Sequence, residues 1–269
     1  MTEPVDDRLA AVLADLRAEG DQLEALVARL PDDADGWRAP TPAAGWDVAH
    51  QIAHLAWTDE TAVVAATDRD RWDATVLAAV EDPDGFVDAE AARGAAVPAC
   101  DLLARWRTSR GRLAEVLAAV PAGTKIPWYG PPMSATSMAT ARFMETWAHA
   151  RDVASALAAE LPADDRVWHV VHLGVRTRGF AYANRGLAAP ASAVRVSLTL
   201  PGGGTVEHGA ADAHDSVAGS AHDFALVVTQ RLHLSDAELT VVGAGAREWL
   251  GIAQAFAGPP GAGREPSGG

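Results

Sequence analysis

Residues 5–30 carry Leu9, Leu13, Leu16, Leu23, Leu26, Val27 and Leu30 at helical spacing, and Pro31 stops the run. An apolar stripe of that length has to be buried against other elements, so it demands partner helices. The chain supplies them. Asp47 is placed to cap a second helix over about 47–67, and a shorter segment follows near 70–81. The stretch 81–96 reads as loop with at most a turn or two of helix. From Pro98 to Val120 the stripe returns through Leu102, Leu103, Trp106, Leu113, Val116, Leu117 and Val120, and Ser134 caps a last helix reaching about Leu157. Four long helices with long crossovers make a bundle, an architecture whose interior commonly carries metal or cofactor sites.

The pattern changes at Leu161-Pro162-Ala163-Asp164-Asp165. One more helix is expected from Arg166 to Arg185. After it, Ala193 to Leu200 alternates with period two, Pro201 to Gly204 turns the chain back, and Thr205 to His208 reads as strand. Asp223 to Arg231 and Ala246 to Phe256 look helical, with a strand signal at Leu239 to Val242. The predicted fold class is therefore α+β: a four-helix bundle over 1–160, a small α+β domain over 161–258 and a flexible tail over 259–269. At 269 residues and 49 % hydrophobic composition, the chain can bury two such cores.

The charge balance removes whole classes of partner. Net charge is −14 and Lys125 is the only lysine, so no nucleic-acid footprint of clustered cations exists. No apolar run reaches membrane-spanning length, and the acidic N-terminus lacks the regions of a signal peptide, so neither membrane nor export is expected. One cysteine, Cys100, excludes an intrachain disulfide and fits a reducing, cytoplasmic setting. Its place at a helix start reads as a structural, at least half-buried thiol, with a nucleophile as the alternative. Nine Trp outnumber five Phe and two Tyr, and rings of that size either anchor a core or wall a pocket. Gly202 to Gly204 is a turn rather than a phosphate loop, and no GxSxG elbow occurs.

Two helices carry the residues that can do chemistry. His50 and His54 lie four apart on the second helix, in a polar stripe with Gln51, Thr58 and Thr61. Glu145 and His149 repeat the spacing on the last bundle helix, with Arg142 and Asp152 nearby. Side chains four apart share a helix face, so each pair can offer two donor atoms to one point. Together the two pairs supply three or four N and O donors, a set that suits zinc with one open position, although a Glu and a His at this spacing equally make a surface ion pair.

The segments WDVAHQIAHLAW (46–57) and ARFMETWAH (141–149) resemble the two metal motifs of the DinB-like superfamily, in its branch of mycothiol-dependent maleylpyruvate isomerases. Further likeness runs through HLGVRTR (172–178), DFALVVTQR (223–231) and AQAFAGPPG (253–261), so it spans nearly the whole chain as in a two-domain actinobacterial subfamily. The resemblance implies a divalent metal, typically zinc, held by His54, Glu145 and His149. It leaves His50 outside that triad, lining the pocket with Trp57, Thr58 and Arg142 as substrate-binding candidates. It implies mycothiol as cosubstrate, because a thiol with a pKa near 8.5 is deprotonated on a divalent cation. Arg231 matches an arginine near the isomerase site and is the catalytic candidate, with an ion pair at an exposed helix end as its alternative. Arg176, Arg178 and Arg185 are further anion-binding candidates beside a solvated-face reading.

Two departures bear on the substrate: Ala150-Arg151 follows His149, and Thr205 to His208 lacks tryptophan. The expected function is thus a metal-dependent thiol S-transferase or isomerase acting on a small electrophile, as monomer or homodimer. Open alternatives are a thiol-free cyclase, lyase or hydrolase using the metal as Lewis acid, and a non-catalytic metal-binding module.

Overall fold

The computed structural model describes residues 7–32, 35–83 and 85–268. The start of the N-terminal stretch read as lacking a signal peptide therefore lies outside the described residues. Two compact units divide the chain at Leu161 and Pro162.

In the first unit four long helices, α1 (Asp7–Val27), α2 (Val48–Thr67), α5 (Ala99–Ala119) and α6 (Ala135–Ala156), form the bundle, and α3 (Arg69–Glu81) and α4 (Phe86–Ala95) fill the crossover between α2 and α5. Helix α2 packs on both α5 and α6, and α1 closes the ring against α6 and α5. The apolar stripes bury as expected, but not as one core. One cluster gathers Leu23, Val27, Ile52, Leu55, Leu102, Trp106 and Val153. A second gathers Leu9, Val12, Ala62, Trp72, Leu113, Leu117 and Met138. Along α2 and α6 the positions between the two clusters are buried and polar: Thr58, Asp59 and Thr61 on one helix, Arg142 and Thr146 on the other. A polar layer thus interrupts the apolar interior, and the metal-site candidates lie along it.

Helix α4 occupies the stretch expected to be loop. Its buried residues are Ala91, Gly94 and Ala95. Small side chains leave no apolar stripe to read in the sequence, yet they let α4 lie close on α2. A Cβ at Gly94 would sit 2.7 Å from the Ala53 Cβ. Cys100 is exposed, because the buried stripe of α5 runs through Leu102, Leu103 and Trp106 and leaves the first turn outward. No helix among the described residues is long and apolar enough to cross a membrane.

The second unit holds a four-stranded sheet in the order β2-β1-β3-β4, with β1 (Val194–Thr199), β2 (Thr205–His208), β3 (Asp215–Ser220) and β4 (Leu239–Val242). The β1–β2 hairpin is antiparallel, and β3 returns parallel to β1 with Val196 opposite Val217. Strand β3 carries Asp215, Ser216, Gly219 and Ser220, residues that favour turns, which hides a central strand from propensity. Gly219 has φ +137°, and a Cβ there would strike the Glu238 carbonyl. The single helix expected from Arg166 to Arg185 is broken into α7 (Trp168–Arg176) and α8 (Arg178–Ala183) at Thr177. Helices α9 (Ala221–Val228) and α10 (Ala244–Ile252) complete the unit, with Phe224 edge-on to Trp249.

Arginines here hold loops. Arg178 donates to the Ser192 and Pro190 carbonyls, and Arg185 to those of Ile252 and Gly261. The segment read as a tail is tied back by that Gly261 contact and by Ser267, whose N–H and hydroxyl both donate to Asp236.

Gly94→Leu is expected to lower stability by ~1–3 kcal/mol, as overpacking does, seen as a reduced denaturation midpoint. An unchanged midpoint would mean that α4 does not press on α2.

Candidate metal centre

The start of each contributing helix is set locally. Asp47 accepts from His50 N–H (2.9 Å) at the N-terminus of α2, and the His50 ring returns to the Asp47 N–H, a reciprocal cap worth ~1 kcal/mol. Burial raises the Asp47 carboxyl, but hydrogen bonds and charge from His50, with a contact from Arg38, outweigh it and leave it below its ordinary value. Ser134 caps α6 by accepting from Ser137 N–H. Two turns into α2, His54 faces α6, and Glu145 and His149 face back.

Two imidazoles converge on one carboxylate oxygen. Glu145 Oε2 lies 3.7 Å from His54 Nε2 and 3.2 Å from His149 Nε2. The donor atoms of the three residues all lie within 4.8 Å of one another. Burial raises the Glu145 carboxyl, yet hydrogen bonding and charge from His149 and His54 hold it well below the carboxylate range, so it is an anion here.

The second ring nitrogen of His149 is committed elsewhere. Its Nδ1 contacts Gln51 Oε1, while Gln51 Nε2 donates to Thr41 Oγ1 (2.9 Å) and Thr41 donates to the Trp46 carbonyl (2.8 Å). Because the Thr41 proton is used on a carbonyl, Thr41 must accept from the Gln51 amide nitrogen. The amide oxygen then faces His149 and Nδ1 carries a proton, so Nε2, which contacts Glu145, is the nitrogen that would give up its proton to take a cation. Imidazole metal ligands are oriented in this way. The donor set fits a divalent cation bound by His54, Glu145 and His149, while the buried Nδ1 of His54, the nitrogen not facing Glu145, has no hydrogen-bond partner. The Trp46 indole covers the cluster, 5.2 Å from the His54 ring and stacked 6.0 Å from His149, and its Nε1 donates to Asp88 (2.8 Å).

The other sequence candidates are differently placed. His50 sits in the α2 cap, with Nδ1 2.6 Å from Asp47. Trp57 stands 5.9 Å from the His54 ring. The Thr58 hydroxyl donates back to the His54 carbonyl at 2.7 Å. Arg142 is buried and donates through Nε to Asp59 (2.9 Å), while its Nη2 has no hydrogen-bond partner. Burial pushes the Asp59 carboxyl up despite the opposing guanidinium. Arg231 belongs to the second unit. It follows a left-handed Gln230 (φ 60°) that ends α9; its N–H closes on the Leu226 carbonyl, and its Nη1 donates to the Thr229 carbonyl. Arg151, read from sequence as a possible substrate contact, instead pairs with buried Glu19 and stacks 4.1 Å over Trp147. Asp59 was missed as a partner for Arg142. Its signal is a lone acid on the α2 face that otherwise buries Leu55, Ala56 and Ala62.

A family model described as the mycothiol maleylpyruvate isomerase N-terminal domain matches residues 16–154. Two uncharacterised proteins from two strains of Mycobacterium tuberculosis are each 54 % identical over 252 residues, covering 94 % of this chain and 97 % of theirs. Crystal structures of the mycothiol-dependent maleylpyruvate isomerase, wild type and a histidine-to-alanine mutant, share the fold at TM-score 0.58 and 16 % and 15 % identity. They cover 87 % of this chain and 92 % of theirs.

Arg142→Met leaves Asp59 buried and unpaired, with an expected loss of ~3–5 kcal/mol, while Asp59→Asn with Arg142→Met recovers most of it. Equal loss in the single and double variants, by chemical denaturation, would show that the two groups are not coupled.

Proposed function

Because the chain belongs to the mycothiol maleylpyruvate isomerase N-terminal domain family, we propose that it is a metal-dependent enzyme that turns a low-molecular-weight thiol of the mycothiol type on a small electrophile. The reaction class is isomerisation, which regenerates the thiol, or S-transfer, which consumes it. The observation that carries this reading is the convergence of His54, Glu145 and His149 within 4.8 Å, on helices whose starts are fixed by caps. A divalent metal, zinc by the character of the donors, would hold the thiol as thiolate at neutral pH.

The residues around it have separable tasks. Gln51 keeps His149 in the tautomer that offers Nε2. Glu145 supplies the negative charge that two neutral imidazoles lack. Trp46 shields the cluster from water on one side, which strengthens charge interactions within it. His50, Trp57, Thr58 and Arg142 remain the proposed pocket residues, of which Trp57 has a ring next to a ligand and Arg142 an uncommitted Nη2. Arg231 is proposed to bind carboxylate or sugar oxygens of substrate or thiol. The unpaired Cys100 fits a reducing cytoplasm.

Elemental analysis of untagged protein tests the ligands. About one equivalent of metal is expected in wild type, lost in His54→Ala and Glu145→Ala and kept in His50→Ala. Metal unaffected by the first two changes would overturn the assignment. Gln51→Leu should weaken metal binding ~10- to 100-fold, measured by competition with a chelator, without unfolding the bundle; full affinity would remove its orienting role. Turnover of an electrophile panel should require added thiol. Turnover undiminished without thiol would favour Lewis-acid chemistry on the substrate itself.

A further inference from the structure

A run of aromatic rings leads outward from the ligands. Trp57 lies 5.9 Å from the His54 ring and edge-on to Phe86 at 5.4 Å. Phe86 meets Tyr129 at 6.4 Å, and Tyr129 meets Trp72 at 5.1 Å and Trp128 at 5.3 Å. Four separate segments contribute: α2, α3, the start of α4, and the loop before α6. Trp72 and Trp128 pack with a core cluster, whereas Trp57 is buried, Phe86 half-buried and Tyr129 38 % exposed, so these three grade from interior to solvent.

Charge around this wall does not suit a small dicarboxylate. Asp88 and Glu90 lie on α4 beside it, with Asp88 accepting from Trp46 and Glu90 answered by Arg93 (2.6 Å). Three guanidiniums near α2 pair with acids of the fold, Arg142 keeping its Nη2 without a hydrogen-bond partner. Arg105 binds Glu60 through two nitrogens, Arg38 binds Asp47 and the Ala95 carbonyl, and Arg142 with Asp59 is neutral as a pair. Burial and Glu90 together push the Tyr129 phenol up to about 12, so it stays an uncharged donor.

We infer that Trp57, Phe86 and Tyr129 form the subsite for an uncharged planar group, an aromatic or extended conjugated electrophile, held beside the metal ligands. This deepens the thiol-dependent reading above and rests on it. Stacked and edge-on ring contacts select flat apolar groups, and the protonated Tyr129 hydroxyl offers a hydrogen bond to a neutral acceptor such as a carbonyl or nitro group. A dicarboxylate would instead meet Asp88 and Glu90 of α4 beside these rings.

Equilibrium dialysis of the full-length, metal-loaded protein tests this without turnover. The probes are 1,3-dinitrobenzene, planar and uncharged, and maleate, a small dicarboxylate. Dinitrobenzene is expected to bind saturably, with maleate unable to displace it. Phe86→Ala and Tyr129→Ala should each weaken it ~2- to 10-fold, the worth of one aromatic contact, with metal content and circular dichroism unchanged; Tyr129→Phe should retain most of the affinity. Displacement by maleate, or dinitrobenzene affinity unchanged from wild type in both alanine variants, would overturn the subsite. Because the measurement needs no thiol, loss of thiol dependence with ring binding intact would count against the thiol reading alone.

Discussion

Everything in the first unit depends on how α2 and α6 face one another across buried polar groups. Burying an imidazole, a carboxylate or a guanidinium costs several kcal/mol unless a partner answers it. The bundle answers each one across the helix pair: Gln51 against His149, Glu145 against both imidazoles, Asp59 against Arg142. These contacts permit only one register of α2 against α6, since sliding either helix by a turn would leave charges unpaired. The apolar clusters on either side then have to form separately, which is why the interior divides in two.

That layer also sets the geometry of the proposed metal site. A flexible site would lose affinity to the entropy of collecting its donors, and here the cost is met during folding. The Asp47 cap sets where α2 begins, and the chain from the Trp46 carbonyl through Thr41 and Gln51 to His149 fixes one ring before any cation arrives. His54 has its Nδ1 buried and unanswered, and its ring is held by packing against Trp46, Trp57 and His149.

The departures from the family pattern acquire a physical meaning. Arg151 does not reach the chemistry; it answers Glu19, a charge buried where α1 meets α6, and covers the Trp147 ring. Next to the cluster of His54, Glu145 and His149 lies instead the run of rings from α2, α3, the start of α4 and the loop before α6. Helix α4 escaped the sequence reading because its packing face is Ala91, Gly94 and Ala95 rather than Leu or Val. The same small residues that hid it let it approach α2 closely enough to bring Phe86 to Trp57.

The sequence by itself determined the helical bundle, the change of character near residue 161, and the spacing that puts His54 and the Glu145–His149 pair on single helix faces. Periodicity is local, so a reader needs no neighbour to see it. It could not tell a metal pair from a surface ion pair, because that depends on what stands opposite. Only tertiary structure decided that His54 meets Glu145, that Gln51 holds His149, that Arg142 is answered by Asp59, and that Cys100 looks outward. The strand β3 was hidden for the same reason: its Asp, Ser and Gly residues become a central strand only because β1 and β4 lie on either side to complete its hydrogen bonds. Contacts between residues tens of positions apart follow from packing, and packing is a property of the whole fold rather than of any segment.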